Sequence, residues 1–194
     1  ASPLFHTNAE FAAKMAVRNL YLEETGLGAK GLSAWAGSRM YRGDDIYVLD
    51  WWPLDNLNTI GGGIGYRSEG GTFVKLHAGV NQPKDDFYLQ TNPRPLTVLT
   101  IPGEAEVPIL DRQKLVGSAK VGHTIPMGKS GGLKILGYGE YHNVRAGQRD
   151  VGDRVFEAVP ADNGFVAGGE LSLFSGQRST HLNLWVRQAW NLAA

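Results

Sequence analysis

The chain contains no cysteine among its 194 residues, so no disulfide can brace it. It has no run of ~18 apolar residues, which excludes a membrane-spanning helix. It has no charge excess of either sign, because 19 basic residues balance 19 acidic ones. That excludes a polybasic nucleic-acid binder, and a hydrophobic content of 42% excludes a disordered tail. The start, Ala-Ser-Pro-Leu-Phe, lacks the basic-then-apolar pattern of a leader, so any signal peptide is expected to be already removed or outside this sequence. His6, His77, His123, His142 and His181 are scattered over separate segments without metal-ligand spacing, so no metal or other cofactor is expected.

Helix signals are scarce. Only residues 9–22, with Glu10-Phe11-Ala12-Ala13-Lys14, suggest a turn or two of helix. Within that stretch Val17, Asn19 and Tyr21 alternate with Arg18, Leu20 and Leu22, which also reads as a strand.

What the chain does have is alternation with period two, the mark of β-strands with two unlike faces. In residues 72–80, Val74, Leu76, Ala78 and Val80 oppose Phe73, Lys75 and His77. In residues 180–190, Leu182, Leu184 and Val186 oppose His181, Asn183, Trp185 and Arg187. Residues 133–143 and 165–175 give two glycine-rich strands, and residues 96–101 and 115–125 two more. Turn clusters separate them at residues 68–71, 81–86, 128–132, 162–164 and 175–177. Short turns alternating with longer polar connections fit an up-and-down barrel, and a soluble β-sandwich gives much the same pattern.

The densest chemistry lies in residues 35–55, Trp-Ala-Gly-Ser-Arg-Met-Tyr-Arg-Gly-Asp-Asp-Ile-Tyr-Val-Leu-Asp-Trp-Trp-Pro-Leu-Asp, followed by Gly61-Gly62-Gly63. Aromatic faces stack on the apolar faces of sugar rings, while Arg and Asp exchange charge-assisted hydrogen bonds with hydroxyls. A soluble core needs none of those charges.

The order Trp-Ala-Gly-x-Arg, Tyr-x-Arg, an Asp-containing turn, a short apolar run and Asp-aromatic-aromatic-x-x-Asp resembles the maltoporin (LamB-type carbohydrate porin) family. Asn8-Ala9-Glu10-Phe11 and Val17-Arg18-Asn19-Leu20 stand at the family's spacing upstream. The resemblance covers about residues 9–67, and cysteine is usually absent from such barrels. It implies an all-β chain, an antiparallel up-and-down transmembrane β-barrel of the bacterial outer membrane, not an enzyme. The chain would be one porin domain over residues 1–194, with an inward-folded constriction loop around 42–60. Its function would be facilitated diffusion of maltose or maltodextrin-like sugars. Outer-membrane lipid and an oligosaccharide would be its partners, with no nucleic acid, in a homotrimer.

By the same resemblance Arg42, Asp50, Trp52 and Asp55 would line the constriction and contact sugar, flanked by Arg39 and Tyr41. This chain has one residue more than the family pattern between Arg42 and Asp50, and Trp52 stands where a tyrosine is usual. The stacking surface is kept and the phenolic hydroxyl is lost. The plainer reading makes Asp44-Asp45 turn residues and Trp51-Trp52 an aromatic girdle or core plug. Trp185, between Asn183 and Arg187, is a candidate for the lumen or for an interfacial girdle.

Other chemistries fare worse. Gly128-Lys129-Ser130-Gly131-Gly132 matches a hydrolase nucleophile elbow, with Asp150, Asp153 or Asp162 and then His181 in the expected order. The elbow needs a helix after its serine, and residues 133–143 read as a strand. A phosphate loop would need glycine at position 123, which is His123. Asp44, Asp45, Asp50 and Asp55 are too local for a glycosidase pair. The second functional reading is a soluble sugar-binding β-sandwich, which would bury the apolar faces that a porin turns to lipid.

The family's barrel has eighteen strands. At ~9–11 residues per strand plus turns, this chain holds about half of them. The last residues, Trp190-Asn191-Leu192-Ala193-Ala194, lack a closing aromatic. A part of a longer porin is expected over a smaller fold that borrowed the motif.

Overall fold

The computed structural model describes residues 19–43, 52–81, 90–95, 104–109, 112–153, 155–176 and 180–191. Twelve antiparallel strands occupy them: β1 (Leu20–Thr25), β2 (Leu32–Arg42), β3 (Asn56–Arg67), β4 (Thr72–Asn81), β5 (Gln90–Pro95), β6 (Glu104–Ile109), β7 (Lys114–Met127), β8 (Gly131–Val144), β9 (Gly147–Asp150), β10 (Phe156–Val159), β11 (Asp162–Ser175) and β12 (Thr180–Asn191). Eight form one sheet in the order β1-β2-β3-β4-β7-β8-β11-β12, so neighbours along the chain are neighbours in space. β5 pairs with β6 and β9 with β10 as small hairpins outside that sheet. Among the described residues β1 and β12 are not paired with each other.

The connections alternate in length. Residues 26–31, 68–71 and 128–130 turn quickly at one edge, where only residues 176–179 separate β11 from β12, and the longer stretches 43–55, 82–113 and 145–161 separate consecutive sheet strands at the other. Gly128 and Gly176 take φ of 66° and 58°, a backbone that a Cβ disfavours and that closes the tight turns.

The expected strands at residues 115–125, 133–143, 165–175 and 180–190 lie inside β7, β8, β11 and β12. Residues 20–22 of the ambiguous stretch begin strand β1, which runs on to Thr25; residues 9–18 and the expected strand at 96–101 fall outside the described residues. Two expectations are corrected. Residues 162–164 do not form a turn but begin β11, because Asp162 pairs with Val144 and its carboxylate accepts the Asn163 amide at 2.7 Å. The connection after β2 ends at Asp55 rather than near residue 60, since residues 56–60 already pair with residues 42–38 of β2.

The two faces of the main sheet are inverted relative to a soluble protein. One carries Leu22, Ile64, Leu76, Val121, Ile135, Leu171, Leu184 and Val186, all exposed. The other buries Thr59, His77, Lys120, Lys134, Glu140, His142, Glu170 and Ser172. Strand alternation sets these faces, and the register keeps each one uniform across the sheet. Among the described residues no second sheet covers the apolar face, as a sandwich would require. A continuous apolar belt over a polar interior is the arrangement of a barrel wall in lipid.

Candidate functional site

Strand β2 brings Trp35, Arg39 and Tyr41 to the polar face, since every second side chain points there. Trp35 lies flat beside Tyr41, with ring centroids 5.6 Å apart and planes 22° apart. His77 of β4 joins them at 5.1 Å from Tyr41 and 5.7 Å from Trp35. Its ring is fixed by Thr59 Oγ1 at 2.8 Å and Ser118 Oγ at 3.2 Å. The Arg39 guanidinium sits 4.2 Å above the Tyr21 ring and pairs with Glu23 at 3.3 Å. Trp35 fits because Gly63 faces it across β3, where a Cβ would stand 2.6 Å from the indole Nε1. These planar rings form an aromatic strip along one side of the polar face.

The end of the β2–β3 connection folds onto the same face. Leu54 enters an apolar cluster with Phe73, Leu136, Tyr138 and Val166, against which Trp185 and Ala189 pack. Asp55, 1% exposed, forms an ion pair with Lys120 of β7. Burial pushes its carboxyl above the ordinary carboxylate range, and Lys120 pulls it only part of the way back. Gly43 is required here, because a Cβ would fall 2.0 Å from Asp55 Oδ1. The Gly43 amide donates to the Asp55 carbonyl at 3.3 Å, closing the base of the connection. Arg42 stacks its guanidinium 3.8 Å over the Trp52 ring.

Between this connection and the sheet lies a cavity of about 270 Å³, lined by Trp52, Leu54, Leu57, Asn81, Lys114, Glu140, His142 and Arg187 among others. Glu140 accepts a hydrogen bond from the Tyr138 hydroxyl and pairs with His142 Nε2 at 2.6 Å. Arg42 Nε, Asn81 Oδ1, His142 Nδ1 and Trp185 Nε1 are buried without a hydrogen-bond partner among the described residues. Asn81 and His142 belong to the lining of the cavity, which therefore sets polar groups beside the Trp52 ring. Among the described residues no cluster of three or more potential ligands could hold a metal.

Of the residues expected from sequence to contact sugar, Trp52 lines this cavity with Arg42 stacked on its ring, whereas Asp55 is buried in its pair with Lys120 and is not among the lining residues. Arg39 and Tyr41 belong to the aromatic strip, and Asp50 lies outside the described residues along with Asp44, Asp45 and Trp51. Trp185 sits on the polar face opposite Glu170, not in a girdle on the apolar one. Sequence reasoning assigned no role to Trp35, His77, Lys120, Glu140 or His142. Alternation placed His77 correctly on the polar face of its strand, but only the register shows that it meets Trp35 and Tyr41.

The family model described as LamB porin matches residues 3–179. Comparison with curated proteins and with solved structures finds no significant match.

Proposed function

The chain belongs to the LamB porin family of β-barrel, outer-membrane carbohydrate porins, and from that premise we propose that it passes maltodextrin-like sugars through a narrow, sugar-binding channel. The polar face lines the lumen and the apolar face meets lipid. The β2–β3 connection acts as the constriction, held inward by Leu54 and by the Asp55–Lys120 pair. Trp52, backed by Arg42, offers a ring face to sugar at the cavity, and the buried stack of Trp35, Tyr41 and His77 stiffens the wall beside the connection. No chemistry is required, only repeated weak binding that recruits sugar and releases it. By family resemblance the assembly is a homotrimer with one pore per subunit.

One observation carries the reading: an aromatic clamped by an arginine on the rim of a polar cavity, on the inner face of an inside-out sheet. The test is ion current through the full-length native protein in a planar bilayer during titration with linear maltose oligomers. Saturable block is expected. Trp52→Ala should weaken it by about fivefold, the loss of roughly 1 kcal/mol of stacking. Steady current indifferent to sugar would remove the binding role and leave a general porin.

A further inference from the structure

Lys75 of β4 stands directly opposite Lys120 of β7 on the polar face. Like charges in facing positions destabilise a sheet, and only Lys120 receives an anion, from Asp55. The same register row continues from Lys120 to Tyr138, from Tyr138 to Gly168 and from Gly168 to Arg187. It holds three cations and no acid.

The acids elsewhere on this face are engaged. Glu23 pairs with Arg39, Glu170 with Lys134, and Glu140 is held by Tyr138 and His142. Neither Lys75 nor Arg187 has an ion-pair partner among the described residues, and both are exposed on the polar face. The whole chain is neutral, so the excess is a matter of placement and not of composition.

Resting on the sugar-porin reading above, we propose that this row is a binding strip for acidic oligosaccharides, whose carboxylate or phosphate groups meet Lys75 and Arg187. Adjacent strands lie ~4.8 Å apart. Lys75 and Arg187 are separated by four such steps, about 19 Å along the wall. Two grips at that distance suit an oligosaccharide bearing repeated anions better than a single charged sugar.

The experiment is current block of the full-length protein in a planar bilayer by four probes: a neutral maltose oligomer, an oligouronate of equal length, a monosaccharide phosphate and inorganic phosphate. The oligouronate should block at about tenfold lower concentration than the neutral oligomer, two grips each giving ~3-fold. The advantage should shrink in high salt. Lys75→Gln should lose ~3-fold of it, Lys75→Arg should keep it, and block by the neutral oligomer should be unchanged in both. Equal block by neutral and acidic oligomers overturns the strip and leaves the sugar porin standing. Inorganic phosphate or the monosaccharide phosphate blocking as well as the oligouronate also overturns it, since the row would then only attract anions. An open pore that no sugar blocks would remove the sugar-porin reading itself.

Discussion

Leu54 rests on Gly168: a Cβ at position 168 would come 2.8 Å from Leu54 Cδ2. A connection that leaves the sheet after β2 is thereby seated against β11, five strands further along the sheet order. Leu54→Ala removes that plug from a cluster it shares with Phe73, Leu136, Tyr138 and Val166. The expected cost is about 3 kcal/mol. Single-channel recordings should show larger and noisier conductance, since the connection would leave the wall; an unchanged trace would mean that Leu54 does not hold it.

Asp55 and Lys120 bind the same connection electrostatically. Asp55→Asn leaves the Lys120 ammonium buried without its anion, a loss on the order of 3 kcal/mol. Asp55→Asn combined with Lys120→Met should recover much of that, because no buried charge remains. The temperature at which the unboiled band shifts to the position of the boiled protein measures both.

Acidification acts on the same pair. The Asp55 carboxyl sits above its ordinary 3.8 because burial disfavours the anion. The folded chain therefore binds this proton more readily than the unfolded one. Between the ordinary and the raised value, this group's contribution to stability falls as pH rises. The temperature at which the folded band is lost on an unboiled gel should therefore rise slightly on mild acidification. Asp55→Asn should abolish the dependence; a variant that keeps it would assign the titration to another group.

The assignment of faces is testable at neighbouring positions of β12. Leu184 lies on the exposed apolar face and Asn183 on the polar one, where it accepts a hydrogen bond from Ser172. Leu184→Arg should destabilise the membrane-inserted barrel by about 2–4 kcal/mol if it meets the bilayer midplane. Asn183→Arg should cost about 1 kcal/mol, one hydrogen bond. Refolding yield into vesicles separates them, and equal losses would refute the orientation.

Arg42 has its guanidinium over Trp52 and its Nε buried without a partner among the described residues. Arg42→Lys keeps the charge but loses the flat stacking surface. Sugar block should weaken by about threefold, roughly 0.7 kcal/mol of lost cation–π contact. Block unchanged in this variant would show that Trp52 holds its position without the guanidinium.

Much of this was legible in the residues. Alternation alone located β4, β7, β8, β11 and β12, because a strand between unlike media must repeat every two residues. Residues 35–55 announced a family, and the match extends to residue 179, far beyond the stretch where motifs are visible. Each barrel strand gives a weak signal that only the sum over many strands makes specific. The start of β11 was missed because Asp162-Asn163-Gly164 is good turn chemistry that the ladder to β8 overrides.

By itself the sequence determined the class of fold, several of the turns and the residue types available around the β2–β3 connection, since these depend on local spacing and side-chain chemistry. Which face is wet, and which side chains meet, was left to the tertiary structure. Lys75 and Lys120 are 45 positions apart and become neighbours only through the β4–β7 register. Asp55 reaches Lys120, and Leu54 reaches Gly168, only because the chain folds back over its own sheet. Hydrogen-bonded register fixes those meetings, and it is a relation between strands that no single strand encodes.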